Sequence, residues 1–465
     1  MLMEDTGLES AKRLKSVKPA RVLVLGFLLV LILGTIALKL PISSVDGESI
    51  SWVDAFFTST SAVCVTGLVV VNTAAQWSIF GQCVILALIQ IGGLGFMAFT
   101  TLIFMIMGRR ITLKERLVIQ EALNQSTLSG IVKLTRRILI GTFLVEGIGA
   151  FLLSFRFIPQ YGAGKGIFFS IFHSVSAFCN AGFDIIGNNM ESYTGDLLVN
   201  FVIMALIILG GLGFVVWMDL LEMFRNRWRE RLSWRRCFSK LHLHSKLVLV
   251  ISVSLILLGF LFFLIVEWSN PETLGGLSGK DKVLGALFQS VSTRTAGFNS
   301  ISQGGLNESS KFMTIILMFI GGSSGGTAGG IKTVTIAVLL ITVISVVRGK
   351  RYTEVFGRRI GEETIRKSMA VFWISLTLVM GVTMILNLFE SADFISLLFE
   401  TTSAFGTVGL SVGITGSLRT GTKCVLAFTM FVGRLGPMTM AVAFTASLKN
   451  NDAHIKPAEE NVMVG

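Results

Sequence analysis

Charged residues are scarce in this sequence. They make up 15% of its 465 residues, whereas an average soluble domain has roughly 25%. The 5 cysteines are an odd, scattered set without metal-ligand spacing, which indicates neither a disulfide framework nor a structural metal site. Hydrophobic residues reach 52%, and runs of the roughly 20 apolar residues that a bilayer span needs recur along the chain. The composition excludes a soluble globular domain and predicts a polytopic membrane protein.

The first apolar run, 22–40, follows a basic segment and could pass for a signal peptide. No small-residue cleavage site follows it, and it is longer than the usual 7–15-residue core of a signal peptide. Seven comparable runs follow downstream. We therefore interpret it as the first of eight transmembrane helices.

Positive charge is concentrated rather than spread. Of the 40 Lys and Arg residues, 27 lie at the N-terminus and in 108–137, 225–246 and 348–367. The intervening segments, such as 184–196, are neutral or acidic. This alternation follows the positive-inside rule, which places the basic segments and both termini in the cytoplasm. The net charge of +12 is thus a signature of orientation, and we expect no nucleic-acid partner.

Four short stretches repeat one pattern of Phe, small hydroxyl residues, and Gly followed by an apolar residue. Their final glycines are 115, 115 and 112 residues apart, and the third copy is one residue shorter. Such even spacing indicates an internal repeat. The copies are FTSTSAVCVTGL (57–68), FHSVSAFCNAGF (172–183), FQSVSTRTAGF (288–298) and FETTSAFGTVGL (399–410).

Each copy lies between two apolar helices. The first helices are predicted at 22–40, 138–157, 247–267 and 369–389, and the second helices at 77–107, 197–224, 311–347 and 422–448. The predicted fold is an all-α polytopic membrane protein with four tandem helix–pore-loop–helix repeats around a central pore. Its segments are a cytoplasmic N-terminus (1–20), repeat 1 (21–108), a cytoplasmic loop (109–137), repeat 2 (138–224), a second loop (225–246), repeat 3 with a broken second helix (247–347), a third loop (348–368), repeat 4 (369–448) and a cytoplasmic tail (449–465).

The segment between the two helices of a repeat is too short to cross the membrane. At about 1.5 Å per residue, a helix such as 52–63 covers roughly 18 Å of about 30 Å of hydrocarbon. It must therefore enter the membrane and turn back, and non-helical backbone is tolerated at that depth only inside protein or beside water. Four such loops are expected to meet around an aqueous axis.

The four loops contain no Asp or Glu, so a ring of carboxylates is excluded. What they offer is backbone carbonyl oxygen, the ligand of potassium filters. The alternative is that the glycines only let helices pack closely. Arg294 is expected to point behind its loop rather than repel ions directly. The candidate filter residues are Val63, Cys64, Val65, Thr66, Gly67, Phe178, Cys179, Asn180, Ala181, Gly182, Thr293, Arg294, Thr295, Ala296, Gly297, Phe405, Gly406, Thr407, Val408 and Gly409.

The stretch GGSSGGTAGG (321–330) interrupts the apolar segment 312–347. As one helix that segment would be roughly 54 Å long, and each glycine costs about 0.8–1 kcal/mol relative to Ala. We expect two half-helices joined by a flexible loop that can obstruct the pore. Lys332 and Arg434 are basic residues within the inner helices, which makes them functional candidates, although both could instead snorkel to the surface. The candidate gate consists of Gly321, Gly322, Ser323, Ser324, Gly325, Gly326, Thr327, Ala328, Gly329, Gly330, Lys332 and Arg434.

The fourfold loops, GGSSGGTAGGIKT (321–333) and FVGRLGPMT (431–439) together resemble the Trk/Ktr/HKT superfamily of potassium transporters, over about 20–448. The length resembles the KtrB-type membrane subunits of Ktr systems more than the longer TrkH subunits. The resemblance implies K+ as the transported ion and a homodimer in the bacterial inner membrane, in contact with lipid. It further implies a cytosolic KtrA-like regulatory ring that alone binds nucleotide (ATP or ADP), a gate at 321–333, and an obstructing Arg434. No covalently bound cofactor and no metal besides K+ are expected.

Motifs of two enzyme classes fit parts of the sequence. Gly322, Ser324 and Gly326 match a nucleophile elbow, and 325–333 is close to a P-loop, but a soluble sheet and the correct lysine spacing are missing. We therefore expect no enzyme.

The alternative of another class is a Na+- or H+-coupled potassium symporter, for which Glu146 and Asp219 are the membrane acids that could couple protons. Parallel repeats and acid-free loops favour channel-like conduction.

Overall fold

The structure is a computed structural model that describes residues 19–95, 98, 101, 107, 113–122, 130–231 and 233–444. The expectations for the N-terminal segment up to residue 18 and for the tail from residue 445 lie outside the described residues. So do most of the predicted continuation of the second helix of repeat 1 and much of the loop 109–137.

The first helix of each repeat is a continuous apolar helix. All four are long and apolar enough to cross a membrane. Their exposed faces carry large apolar side chains such as Leu25, Phe151, Leu261 and Leu388, as a lipid-facing surface does. The four are α1 (Pro19–Lys39), α6 (Ile131–Tyr161), α11 (Leu243–Val266) and α15 (Glu362–Phe389).

The second element of each repeat is a short helix whose C-terminal half is buried. We call these four the pore helices, and the side at which they begin the outer side. Three of them start at a side-chain cap, where Ser51, Ser278 and Asp393 accept a backbone N–H three residues on, which satisfies an otherwise unpaired donor. The pore helices are α2 (Trp52–Val63), α7 (Ala163–Phe178), α12 (Gly279–Ser292) and α16 (Phe394–Gly406).

All four second helices are interrupted, whereas the glycine content of the sequence predicts a break in repeat 3 alone. The chain leaves helical geometry at Gly95, Gly213 and Gly436, whose φ angles are 83°, 89° and 86°. Glycine adopts such angles at no steric cost, and the bend at Gly213 is 103°. The described pieces are α4 (Ile79–Leu94), α8 (Leu197–Leu212) with α9 (Phe214–Arg229), α13 (Glu308–Phe319) with α14 (Thr333–Val347), and α17 (Thr420–Leu435) with α18 (Pro437–Phe444).

Where the structure describes them, the connecting segments contain short elements. The helices are α3 (Thr73–Gln76), α5 (Leu113–Ala122) and α10 (Trp234–Lys240), with 3-10 turns at Pro41–Ser43, Glu191–Tyr193 and Thr415–Ser417. A two-residue hairpin, β1 (Glu354–Val355) and β2 (Arg358–Arg359), pairs antiparallel. The membrane domain is therefore all-α, as predicted.

Three repeats use the same contact between pore helix and first helix. The hydroxyls of Ser59, Ser174 and Ser290 donate to the carbonyls of Leu31, Glu146 and Ile256 at 2.8, 2.6 and 2.7 Å. In repeat 4 the equivalent Thr401 bonds within its own helix, to Leu397 at 2.9 Å. Three copies of one long-range bond in the expected register show the tandem repeat directly.

The repeats are arranged in a ring. Each second helix packs against the pore helix of the next repeat: α4 against α7, α8 against α12, and α13 against α16. The pairing of α17 with α2 closes the ring between the last repeat and the first. At that closure Lys423 Nζ lies 3.1 Å from Asp54 Oδ1, in a pair that is mostly buried.

Candidate ion pathway

The four loop glycines meet at the centre of the ring. A Cβ built on Gly182 would lie 2.7 Å from Gly297 Cα and 2.8 Å from the Ala296 oxygen. Gly67 faces the Ala181 oxygen in the same way, Gly297 faces the Val408 oxygen, and Gly409 faces the Thr66 oxygen. These approaches leave no room for a side chain, so the glycines are required by close contact around a closed ring.

The four oxygens in this ring come from equivalent residues, the one before each glycine. They are the carbonyls of Thr66, Ala181, Ala296 and Val408. In the described part of the chain no donor is bonded to any of the four. Unpaired carbonyls inside a membrane protein are costly unless a ligand or water satisfies them. The ring therefore presents four equivalent carbonyl oxygens without a donor, a set of atoms of the type that coordinates cations.

The backbone N–H groups of these residues bond away from the ring. Those of Thr66, Ala181, Ala296 and Val408 bond to pore-helix carbonyls at 2.8, 2.7, 2.9 and 2.9 Å. The acceptors are Ser61, Ser176, Ser292 and Ser403, which occupy the same position of the motif. Each loop is thereby oriented so that these N–H groups face the pore helix and the carbonyl oxygens remain free of donors.

The residue two before each glycine has a positive φ in every repeat. The angles are 57° for Val65, 60° for Asn180, 71° for Thr295 and 49° for Thr407. For β-branched residues this conformation is a genuine outlier, and a left-handed residue costs about 1–2 kcal/mol. Strain that recurs at one position of four loops is held by the surrounding structure, as at functional sites.

A second set of glycines supports the loops from the inner side. Gly92, Gly210 and Gly433 lie directly against the carbonyl oxygens of Val63, Phe178 and Phe405, the first residues of three loops. A methyl group there would displace the loop. These second-helix glycines therefore let the second helices pack closely against the loops.

The glycine-rich segment 320–332 joins α13 to α14 as an irregular loop beneath the ring. It lies along the break in α8–α9, where Ser323 N donates to Gly211 O at 2.9 Å and Phe214 N donates to Gly325 O at 3.0 Å. Thr327 Oγ1 donates to the carbonyl of Phe178, in the second loop, at 3.1 Å. Gly329 lies against the Thr407 side chain, in the fourth loop. The segment is therefore in direct contact with two of the four loops.

Arg434 connects three repeats. From α17 in repeat 4 its guanidinium donates to the carbonyls of Thr327 in the glycine-rich segment and Gly92 in repeat 1, and to Gly93 at 3.2 Å. Lys332 bonds locally, donating from Nζ to the Ala328 carbonyl at 2.7 Å. Of the two basic residues, Arg434 is the one that bridges the ring.

Arg294 lies between its loop and the neighbouring helices. Its guanidinium faces the carbonyls of Ser252 and Gly321 at 3.4 and 3.5 Å. Its Nε has no hydrogen-bond partner within the described ranges. The side chain is thus placed toward α11 and the glycine-rich segment.

The two membrane acids considered for proton coupling bond away from the ring. Glu146 accepts from Gln90 Nε2 at 3.1 and 3.2 Å and contacts the Cys179 thiol at 3.8 Å, behind the second loop. Asp219 lies 2.9 Å from His242 Nδ1, at the inner end of α11. Among the residues that the structure covers, no cluster of three or more His, Cys, Asp or Glu could hold a metal ion.

Contacts on the outer side join neighbouring repeats and were not predicted from the sequence. Thr194 Oγ1 donates to Ser300 O at 2.6 Å, and Asn299 Nδ2 donates to Glu191 Oε1 at 2.7 Å. Partial burial raises the pKa of the Glu191 carboxyl, and the Asn299 hydrogen bond opposes that rise. These pairs, like Asp54 with Lys423, lie more than 100 residues apart, so no local pattern indicates them.

A closed ring of four re-entrant loops, each held by a pore helix between two membrane helices, defines a membrane transport protein of the pore-loop class. The family model of TrkH cation transport proteins matches residues 17–453. The chain belongs to this family, which is one of transporters rather than enzymes.

Individual relatives agree with that assignment. The chain is 45% identical over 433 residues to the Ktr system potassium uptake protein B of Bacillus subtilis (strain 168), covering 93% of this chain and 94% of that protein. It is 40% identical over 455 residues to the potassium/sodium uptake protein NtpJ of Enterococcus hirae, with 97% and 98% covered. The crystal structure of the potassium transporter TrkH from Vibrio parahaemolyticus superposes with a TM-score of 0.70 at 19% identity, covering 94% and 87%. That likeness shows the shared fold.

Proposed function

We propose that the chain is the ion-translocating subunit of a potassium uptake system and conducts K+ selectively, in a channel-like manner. The observation that carries this proposal is the ring of unpaired carbonyl oxygens from Thr66, Ala181, Ala296 and Val408. Carbonyl rings replace the hydration shell of K+. One relative named above is a potassium uptake protein and another is a potassium/sodium uptake protein, which supports K+ as a transported ion.

The segment 321–333 and Arg434 form the gate in this proposal. The loop contacts the second and fourth filter loops from below, and Arg434 ties it to repeat 1. Opening then requires the arginine to release the Thr327 carbonyl, so that the loop can move. The hydrogen bonds among these contacts run from side-chain donors to backbone carbonyls, which water can replace.

Regulation and assembly are inferred from the family. The name Ktr system, carried by a relative, supports a second, cytosolic subunit, and we infer a KtrA-like ring that holds ATP or ADP beneath a homodimer of this chain. The basic segments 225–246 and 348–367 support the proposal that these loops and both termini lie in the cytoplasm, with the chain in a bacterial inner membrane.

The coupled symporter is the second candidate. It is favoured by the potassium/sodium name of one relative. Against it, the carboxylates of Glu146 and Asp219 are bonded to Gln90 and His242 and do not enter the ring. Uptake of K+ against its gradient, driven by Na+ and saturating with it, is the behaviour that would establish coupling.

The test is K+ and Na+ flux into liposomes that contain the purified chain. We expect K+ flux well above Na+ flux, and a higher K+ flux when Gly325 and Gly326 are deleted from the gate loop. A matched control deletes the Gly–Gly pair Gly275–Gly276 from the outer loop before α12, which should leave flux unchanged. Equal K+ and Na+ flux in the intact chain refutes the filter, and no response to the gate-loop deletion refutes the gate.

A further inference from the structure

The second residue of the repeated motif is buried in all four repeats but belongs to neither the carbonyl ring nor the gate. This residue directly follows the Phe of each motif, and its side-chain chemistry differs from repeat to repeat. We call it the anchor position, and it is occupied by Thr58, His173, Gln289 and Glu400, which are 1%, 0%, 0% and 0% exposed. Buried polar groups are costly without partners, so the partners show what the position does.

In repeat 4 the anchor holds the chain that rises from the loop toward the outer side. One carboxylate oxygen of Glu400 accepts from the Ser411 hydroxyl and from Val412 N at 3.2 Å, and the other accepts from Thr415 Oγ1 at 2.8 Å. Ser411 comes two residues after the loop glycine. The pore helix thereby fixes the outer segment of its own loop, 410–415.

In repeat 3 an amide pair has the same role. Gln289 and Gln303 exchange two side-chain hydrogen bonds, both at 2.8 Å. Gln303 also donates to the carbonyl of Ile301 at 3.0 Å. The outer segment of the third loop, 298–303, is again tied to its pore helix, through neutral groups.

In repeat 2 the anchor acts through a carboxylate. His173 Nε2 lies 3.1 Å from Asp184 Oδ1. Asp184 in turn accepts the backbone N–H groups of Ile186, Gly187 and Asn189 at 2.7, 2.8 and 2.9 Å. One side-chain contact from the pore helix thus organises the outer segment 183–189.

Repeat 1 is the exception. Thr58 Oγ1 is buried and has no hydrogen-bond partner within the described residues. The side chain is the shortest of the four, and the residues that follow the first loop are the apolar Leu68, Val69, Val70 and Val71. The outer segment of this loop therefore lacks a polar contact to the anchor position.

We propose that Glu400, Gln289 and His173 are positioning residues that set ion selectivity by holding three of the four filter loops from the outer side, and that the first loop is the compliant one. This inference rests on the proposed function. In this proposal, a carbonyl ring discriminates between ions of equal charge by how well its oxygens fit the ion, so that selectivity depends on the geometry of the ring. Each anchor fixes the segment that begins at the residue after the ring glycine, so its loss should loosen one quarter of the ring.

The test compares the K+/Na+ flux ratio of anchor variants in liposomes. Gln289→Leu removes the amide at similar volume, and Ser411→Ala removes one donor to Glu400. We expect each to lower the ratio by about tenfold, which corresponds to roughly 1.4 kcal/mol. Glu400→Gln keeps an acceptor oxygen and should lie between the intact chain and Glu400→Ala. In a double variant, the effects of Glu400→Gln and Ser411→Ala should be less than additive, because both change the hydrogen bond between Glu400 and Ser411.

Two matched controls separate positioning from general damage. Thr58→Val removes the unpartnered hydroxyl at the same position in repeat 1. Thr401→Val removes a buried hydroxyl next to Glu400 that bonds only within its own helix. Both should keep the intact flux ratio, and all variants are first checked as monodisperse protein in detergent.

The outcomes distinguish the two proposals. If the intact chain discriminates K+ from Na+ and folded Gln289→Leu and Ser411→Ala keep its ratio, the anchor inference is wrong and the filter stands. If Thr58→Val lowers the flux ratio as much as Gln289→Leu and Ser411→Ala do, the inference that the first loop is the compliant one is wrong. If the intact chain conducts both ions equally, the proposed function fails and the anchor inference falls with it.

Discussion

Replacing Arg434 by Ala should increase K+ flux strongly while leaving ion selectivity intact. The guanidinium holds the gate loop through the carbonyl of Thr327 and is itself held by Gly92 and Gly93 of repeat 1. A hydrogen bond with a charged partner contributes about 1.5–3 kcal/mol. Since each 1.4 kcal/mol is roughly a factor of ten, losing the Thr327 bond alone should raise the open-to-closed ratio about 10- to 150-fold.

The assay is K+ flux into liposomes at matched protein density, with Na+ flux measured in parallel. Arg434→Lys, which keeps the charge but cannot reach several carbonyls with one planar group, should give an intermediate flux. Arg419→Ala, an exposed arginine at the start of the same helix, is the control and should behave as the intact chain. A flux in Arg434→Ala equal to or below that of the intact chain would refute the gating role. A fall in the K+/Na+ ratio would show instead that Arg434 supports the filter.

Two further predictions concern the ring itself. Gly67→Ala should abolish K+ selectivity, because the added methyl group meets the Ala181 oxygen. The control is Gly164→Ala, whose Cβ would meet nothing within 4 Å. Unchanged selectivity in the folded Gly67→Ala variant would contradict the ring geometry. Lys423→Met should lower the free energy of unfolding by about 3 kcal/mol, because it leaves the mostly buried Asp54 carboxylate without the partner that closes repeat 4 onto repeat 1. Combining it with Asp54→Asn should add almost nothing, as measured by melting in detergent, and full additivity would show that the pair does not act as a unit.

Much of the fold can be predicted from the sequence because the same structural unit is repeated four times along the chain. The spacing of Gly67, Gly182, Gly297 and Gly409 predicts the ring before any contact is known, and the short segments before them predict re-entrant helices. The breaks at Gly95, Gly213 and Gly436 do not follow from the sequence, because clustered glycines in an apolar helix fit close helix packing equally well. Pro437, directly after Gly436, was the available signal, since proline commonly follows a helix end.

The contacts that close the site could not be read from the chain. Arg434 meets carbonyls 107 and more than 340 residues away, and Glu400 finds Ser411 and Thr415 only because the loop turns back on its pore helix. Sequence periodicity reports which face of a helix is buried and carries no information on which distant carbonyl a guanidinium reaches. The anchor position can be found by aligning the four repeats, but its four different residue types give no indication of a shared role.

Each quarter of the carbonyl ring comes from a different stretch of one polypeptide, so each quarter can change independently during evolution. In an assembly of four identical chains, every substitution enters the ring four times. Here a change at Thr58 or Gln289 alters one quarter and leaves three intact. An arginine that occurs once around the ring, such as Arg434, is therefore accessible to this architecture, and the four loops can be altered one at a time.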